Sequence, residues 1–285
     1  MQAPKLSARV RKGGYGDAGG LAANGELPEA APLALDFEGE LRDEVDRIVL
    51  SLDPASEWVQ RVGGLLRVEG LVLGGAPEQF PHAFGEALAL LRDPLAKQLQ
   101  ERRSAVSRQA CHALTLLALA CGPRAEGLAG ALVPSLFKAM AMGIQVVTDA
   151  ADACVRVILR HCQPRGLVPK LAETATHERQ GRLRQCAAEY LVLILGEWDA
   201  QAYARHLPAL EAAVLSMVQD AQAETRATGR EAFGALAHTW QDSARSMLHR
   251  VDRSMQEKLE RAAEDYVPGG FSYSPAAAAA AAAAL

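Results

Sequence analysis

Cys154, His161 and Cys162 fall at i, i+7 and i+8, on one face of a helix, where a thiolate and imidazole cluster would hold a metal. No second ligand pair lies nearby, and cysteine is a common core residue, so these positions read as core and no metal is expected. Gly14-Tyr15-Gly16-Asp17-Ala18-Gly19 fits the spacing of a dinucleotide-binding loop, but no strand precedes it and no helix follows. His177-Glu178 lacks the second histidine of a zinc-protease helix. There is no nucleophile elbow and no phosphate-binding loop, and the carboxylates are scattered over cap and surface positions. The expectation is therefore a chain that is not an enzyme and needs no cofactor.

What recurs instead is arginine near the start of successive helical segments: Arg61, Arg108, Arg184 and Arg226. The first two are 47 residues apart and the last two 42; the 76 between Arg108 and Arg184 make two units of 38, with a degenerate one near Gln145. A period of about 40–47 residues is that of HEAT and armadillo helix pairs, each of which buries its apolar face only by stacking on its neighbours. In such a stack every turn within a pair emerges along one edge. Trp58, Arg61, Arg103, Arg108, Gln145, Arg182, Arg184, Arg226 and Arg230 are then expected to converge on one narrow face, with Glu57, Asp220 and Glu224 as its main acids. A locally basic edge suits an acidic protein partner. Each arginine taken singly also fits a solvated or locally paired charge. Trp58 taken singly fits a cover over the end of a core, as do Trp198 and Trp240; exposed in the first turn, it would be a binding hot spot.

The elements that must position these residues are helical throughout. Helices are expected at 37–51, 56–73, 82–101, 104–121, 127–141, 144–161, 165–175, 180–197, 200–219, 223–240, 242–250 and 254–265. Asp53 ahead of Pro54, Asp199 and Asp252 are cap candidates. Gly63 and Gly64, inside the second helix, would cost about 1–2 kcal/mol relative to alanine and loosen the first pair. The 285 residues, 49% hydrophobic with only 5% aromatic, favour an all-α fold over sheets. The expected architecture is an α-solenoid of about six HEAT repeats over residues 35–266. Residues 1–34 read as a disordered, glycine-rich basic arm, and residues 267–285 as a low-complexity alanine-rich tail.

A net charge of −4 and a pI near 6.0 disfavour a nucleic-acid binder. No uncharged apolar run approaches the roughly 18 residues a bilayer span needs, so no membrane is expected. The opening residues are polar and basic rather than a secretory signal. The five cysteines, an odd number within apolar helical patterns, read as reduced thiols of a cytosolic-type compartment.

Several stretches carry a family resemblance. Trp58–Arg61, Arg103-Ser104-Ala105-Val106-Ser107-Arg108-Gln109-Ala110-Cys111 and Leu132-Val133-Pro134-Ser135-Leu136-Phe137 resemble TOG domains of the cytoplasmic linker associated protein class (CLASP). So do Cys154–His161 and Asp220–Arg226. Over residues 37–266 these motifs keep their order and spacing, and the chain is similar to the second TOG domain of that class. The resemblance implies a six-HEAT paddle whose turns engage tubulin, and a cytoskeletal protein of the cytoplasm or the cilium, acting as a monomer. Carried over by position, it implies tubulin-contacting roles for Trp58 and Arg61; for Arg103, Ser104, Val106 and Arg108; for Arg182 and Arg184; and for Asp220, Glu224, Arg226 and Arg230. Gln145 stands where a lysine is frequent in the family. A generic HEAT scaffold for another protein partner is the alternative.

Overall fold

The computed structural model describes residues 27–268; the expected glycine-rich arm up to residue 26 and the alanine run lie outside the described residues. Among the described residues every regular element is helical. Six helix pairs follow one another; in the last, both helices pack chiefly on the preceding second helix. They are α1 (Glu38–Ser51) with α2 (Trp58–Leu73), α4 (Pro81–Leu99) with α5 (Ser104–Cys121), and α6 (Glu126–Ala141) with α7 (Gln145–His161). Then come α8 (Val168–His177) with α9 (Gly181–Glu197), α11 (Leu207–Met217) with α12 (Ala223–Thr239), and α13 (Gln241–Leu248) with α14 (Arg253–Glu264). One-turn helices α3 (Ala76–Gln79) and α10 (Ala200–Tyr203) sit in the connections.

The second helices of the pairs stack side by side in one layer and the first helices in the other, with a continuous apolar core between them. Leu65, Leu95, Leu117, Ile158, Ile194 and Leu236 are fully buried in it. Leucine and alanine at helical spacing give each helix one apolar stripe, and stacking is what removes that stripe from water. The stack thins at its centre. α6 and α8 do not pack along their lengths, and an open groove of about 360 Å³ separates them, lined by Pro134, Phe137, Leu171 and Thr174. Tyr190 bridges this junction: its ring meets Phe137 edge-on with centroids 6.0 Å apart, and its hydroxyl donates to Asp152 at 2.6 Å.

Four sequence expectations change. Asp53-Pro54 does not start a helix; the Asp53 carboxylate accepts from the Ala55 N–H at 2.8 Å inside the turn, and α2 begins at Trp58. Asp199 and Asp252 do cap, accepting from Gln201 and Met255. The helix expected over 200–219 is broken into α10, a 3-10 turn at Ala204–His206, and α11, where Pro208 has no N–H to continue the ladder. The unit near Gln145 is a complete pair, α6–α7. Finally, Gly64 is a packing position: a Cβ there would lie 2.5 Å from Ser51 Oγ and 3.1 Å from Leu52. The glycine lets α2 approach the end of α1, which offsets its propensity cost.

The chain ahead of α1 packs on the helices as well. The segment 31–35 lies across the end of α2, where the Leu33 N–H donates to the Gly70 carbonyl at 2.8 Å and Gln79 Nε2 donates to the Leu35 carbonyl at 3.0 Å. Gly74 makes room for it, since a Cβ there would fall 2.0 Å from the Leu33 oxygen. Gly74→Ala is therefore expected to displace this strap and cost about 1–3 kcal/mol. Faster proteolysis ahead of α1, with a lowered melting temperature, would show it; an unchanged cleavage pattern would mean the strap does not depend on that approach.

Ser104–Ala141 is long and apolar enough in composition to be compared with a membrane span. It is two helices, broken at Gly122–Ala125, and their apolar sides face the core. All five cysteines are free; four are buried and Cys186 is half-buried.

Candidate functional site

The turns joining each first helix to its second do emerge along one edge, but the arginine register serves the turns themselves. The fourth residue of nearly every second helix reaches back to the chain that precedes it. Ser107 Oγ donates to the Leu99 carbonyl at 2.8 Å, and Thr148 Oγ1 to Met140 at 3.3 Å. Arg184 donates to the Glu178 and Arg179 carbonyls at 3.0 and 3.2 Å, and Arg226 to those of Asp220 and Ala221, both at 2.8 Å. Gln256 does the same to Leu248 and Val251. Carbonyls at a helix C-terminus lack intrahelical donors, so each of these side chains satisfies an acceptor and fixes its turn. Arg108 is one position out of this register; it is half-buried, with interactions of its own.

A second regularity precedes the first. Asp53, Glu101, Glu178 and Asp220 each accept from the backbone N–H two residues later, at 2.8, 3.2, 2.9 and 2.8 Å. In the last three turns the donor is the residue that opens the helix: Arg103, Gln180 and Gln222.

Neighbouring turns are then braced to one another. Arg61 is buried, 7% exposed, and its guanidinium donates to Glu101 at 2.6 Å and Gln98 at 3.2 Å. Arg182 joins the third and fourth turns, donating to Gln145 at 3.1 Å and lying 3.5 Å from Asp149. Arg184 makes a two-pronged pair with Asp220 at 2.7 and 3.1 Å. Hydrogen bonds from Arg61 hold the Glu101 carboxyl below its ordinary 4.5, and those from Arg184 hold Asp220 below its ordinary 3.8. Groups with depressed values stabilise the fold fully above those ordinary values and lose that contribution as pH falls through the folded ones. Acidification from about pH 6 to about pH 3 is thus expected to lower the denaturation midpoint, with a shallower slope in Arg184→Ala. At neutral pH Arg184→Ala is expected to cost about 2 kcal/mol, because a charged donor is lost from a partly buried carboxylate. An unchanged midpoint in urea would refute the bracing role.

The edge is accordingly less basic than expected, since carboxylates on neighbouring turns occupy several of its cations. Of the expected site residues, Val106 is fully buried, and Arg61, Arg184, Arg226 and Asp220 are committed to turns. Arg230 is half-buried two turns down α12. Trp58, Arg103, Ser104, Gln145 and Arg182 remain at least partly exposed on the edge. Trp58 is half-buried: it packs against the core, and the Arg103 guanidinium lies over its ring, 5.7 Å from the centroid. That stack joins the first two turns and presents an aromatic plane with a cation on it.

Sequence reasoning missed three exposed neighbours. Arg102 and Arg179 lie just ahead of helix starts and make no ion pair among the described residues. Val146, 49% exposed, follows Gln145 in the third turn. Their signal was position: residues beside a helix-opening turn point outward, whereas those a full turn into the helix fold back.

The CLASP N terminal family matches residues 41–260. A CLIP-associated protein of Arabidopsis thaliana is 35% identical over 229 residues, covering 80% of this chain and 16% of the relative. CLIP-associating protein 1-B of Xenopus laevis is 26% identical over 223 residues, covering 78% and 15% respectively. The chain thus spans about a sixth of the length of these relatives. Among solved structures, one from work on tubulin recruitment and assembly by microtubule polymerases with TOG domain arrays superposes with a TM-score of 0.62. It shares 18% identity over 84% of this chain and 48% of that one. This likeness extends to the fold.

Proposed function

The chain belongs to the CLASP N-terminal family, and from that premise we propose that its turn edge docks on tubulin and serves to bind or stabilise microtubules. The observation that carries the reading is the stack of exposed Arg103 on half-buried Trp58 with Arg102 beside it, set on turns already braced by Arg61–Glu101 and Arg184–Asp220. Bracing fixes the turns before contact, so little ordering entropy is lost on docking. Single exposed ion pairs contribute only about 0.2–1 kcal/mol, so Arg102, Arg103, Arg179 and Arg182 act together around an apolar anchor. Ser104, Gln145 and Val146 supply the neutral surface between them. Arg61, Arg184 and Arg226 act through the turns they hold.

One TOG-type unit contacts a single stretch of partner, which suits lattice binding better than processive polymerisation. The basic N-terminal arm adds avidity in this reading, and the place of action is the cytoskeleton, in the cytoplasm or the cilium. The kinship with the second TOG domain of the class is part of the same proposal. Related proteins named CLIP-associated protein, and a TOG-array structure from work on tubulin recruitment, support it.

Co-sedimentation with microtubules across a salt series, beside gel filtration with unpolymerised tubulin, tests the proposal. Binding that weakens steeply with salt and depends on the edge is the expected result. Binding indifferent to every turn residue would favour a generic HEAT scaffold instead.

A further inference from the structure

Beneath the third to fifth turns, between α7, α9 and α12, a polar groove of about 420 Å³ opens on the face of the second helices. Asp149, Asp152, Glu189 and Glu224 line it against two guanidinium groups. Those two are already engaged. Arg156 donates to Asp152 at 2.9 Å and to Glu189, and lies over the Tyr190 ring with its guanidinium carbon 5.4 Å from the centroid. Arg182 reaches to Gln145 and Asp149 in the third turn. Asp152 also accepts from the Tyr190 hydroxyl at 2.6 Å.

What is left over is acceptor. Gln185 spends its amide N–H groups on Glu189 at 2.7 Å and Thr228 at 3.0 Å, and its buried Oε1 receives no donor. Glu224, second residue of α12, is exposed and in no ion pair among the described residues. Burial raises the Cys186 thiol to about 12, with Asp152 and Glu189 adding to it, and burial together with Glu189 raises the Glu231 carboxyl. A buried acceptor without a donor costs free energy until something donates to it. The chemistry that completes this groove is a cation carrying several N–H groups.

We propose that the groove receives a basic side chain, lysine or arginine, of the protein docked on the turn edge. The inference rests on the functional reading above and deepens it. The partner presents acidic surface to Arg102, Arg103 and Arg179, and one cation to the flank of the fourth and fifth turns. A pair of opposite signs fixes register along an edge that cations alone would let slide.

The sign of one substitution separates this from a simply basic edge, where removing an acid tightens binding to acidic tubulin. Binding of the full chain to microtubules is measured for Glu224→Gln, Glu224→Lys and Glu224→Asp, with Arg103→Glu as a reporter of edge docking. The expected result is a loss of roughly fivefold for Glu224→Gln, more than twentyfold for Glu224→Lys, and near-normal binding for Glu224→Asp. Glu224 is exposed, and matching melting curves confirm that each variant is folded. Unchanged or tighter binding in Glu224→Gln and Glu224→Lys, with Arg103→Glu still weakened, overturns the groove and leaves edge docking standing. No binding by the unaltered chain overturns the functional reading and the groove with it.

Discussion

Trp58→Ala is expected to weaken binding to microtubules about thirtyfold, the equivalent of roughly 2 kcal/mol for a central aromatic anchor. Two effects coincide in that number. The indole plane leaves the edge, and Arg103, whose guanidinium lies 5.7 Å from its centroid, loses the surface that orients it. The half-buried ring also packs on the core, so the melting temperature falls by a few degrees as well. The double variant Arg102→Glu, Arg103→Glu separates the two: both side chains are exposed, so it should weaken binding as strongly while melting as the parent does. If the double variant sediments like the parent, the first two turns are not the docking surface, whatever Trp58→Ala does. Loss of binding should also steepen as salt falls, because the cations are screened least at low ionic strength.

The largest stability effect is expected away from the edge, at the interface of α2 and α5. Glu69 is completely buried there, with Gln109 Nε2 donating to its Oε1 at 2.6 Å and His112 Nδ1 2.9 Å from the same oxygen. Its other oxygen has no protein donor, and the Gln109 Oε1 has none either. Glu69→Ala leaves a cavity and strands two polar side chains between helices, and is expected to cost about 3–5 kcal/mol. Glu69→Met with Gln109→Leu removes the carboxylate and its amide donor while keeping volume, leaving only His112, whose side chain is 12% exposed, and is expected to recover most of the loss, because an apolar replacement owes no desolvation. Urea denaturation of the parent, the single and the double variant decides it. A single variant within about 0.5 kcal/mol of the parent would mean the carboxylate contributes nothing to joining the first two repeats.

The helix-pair period and the order of six pairs were legible in the chain because both are local. Apolar spacing of 3.6 residues, and Asp199 and Asp252 at caps, are settled within a few residues. The family resemblance was legible for the same reason, being carried by runs such as Arg103–Cys111. The misreadings lie where a second segment intervenes. Gly64 looks like a weak point of α2 until Ser51 and Leu52 are brought against it. The helix expected over 200–219 breaks because the chain must turn before Pro208 to lay α11 beside α8.

The edge divides along the same line. That turns recur, and that arginines gather near them, is a property of the sequence alone. Which arginine faces solvent is decided by what the stack places beside it. Arg184 and Arg182 are two residues apart on α9, yet one is folded onto Asp220 and the other stands exposed beside Asp149. Charge is counted along the chain, but its availability depends on the opposite charge brought within about 3 Å by a neighbouring repeat, and that partner is 33 to 40 residues away. The tertiary structure therefore decided how basic the edge is and where, because pairing across repeats, not composition, sets which cations remain for a partner.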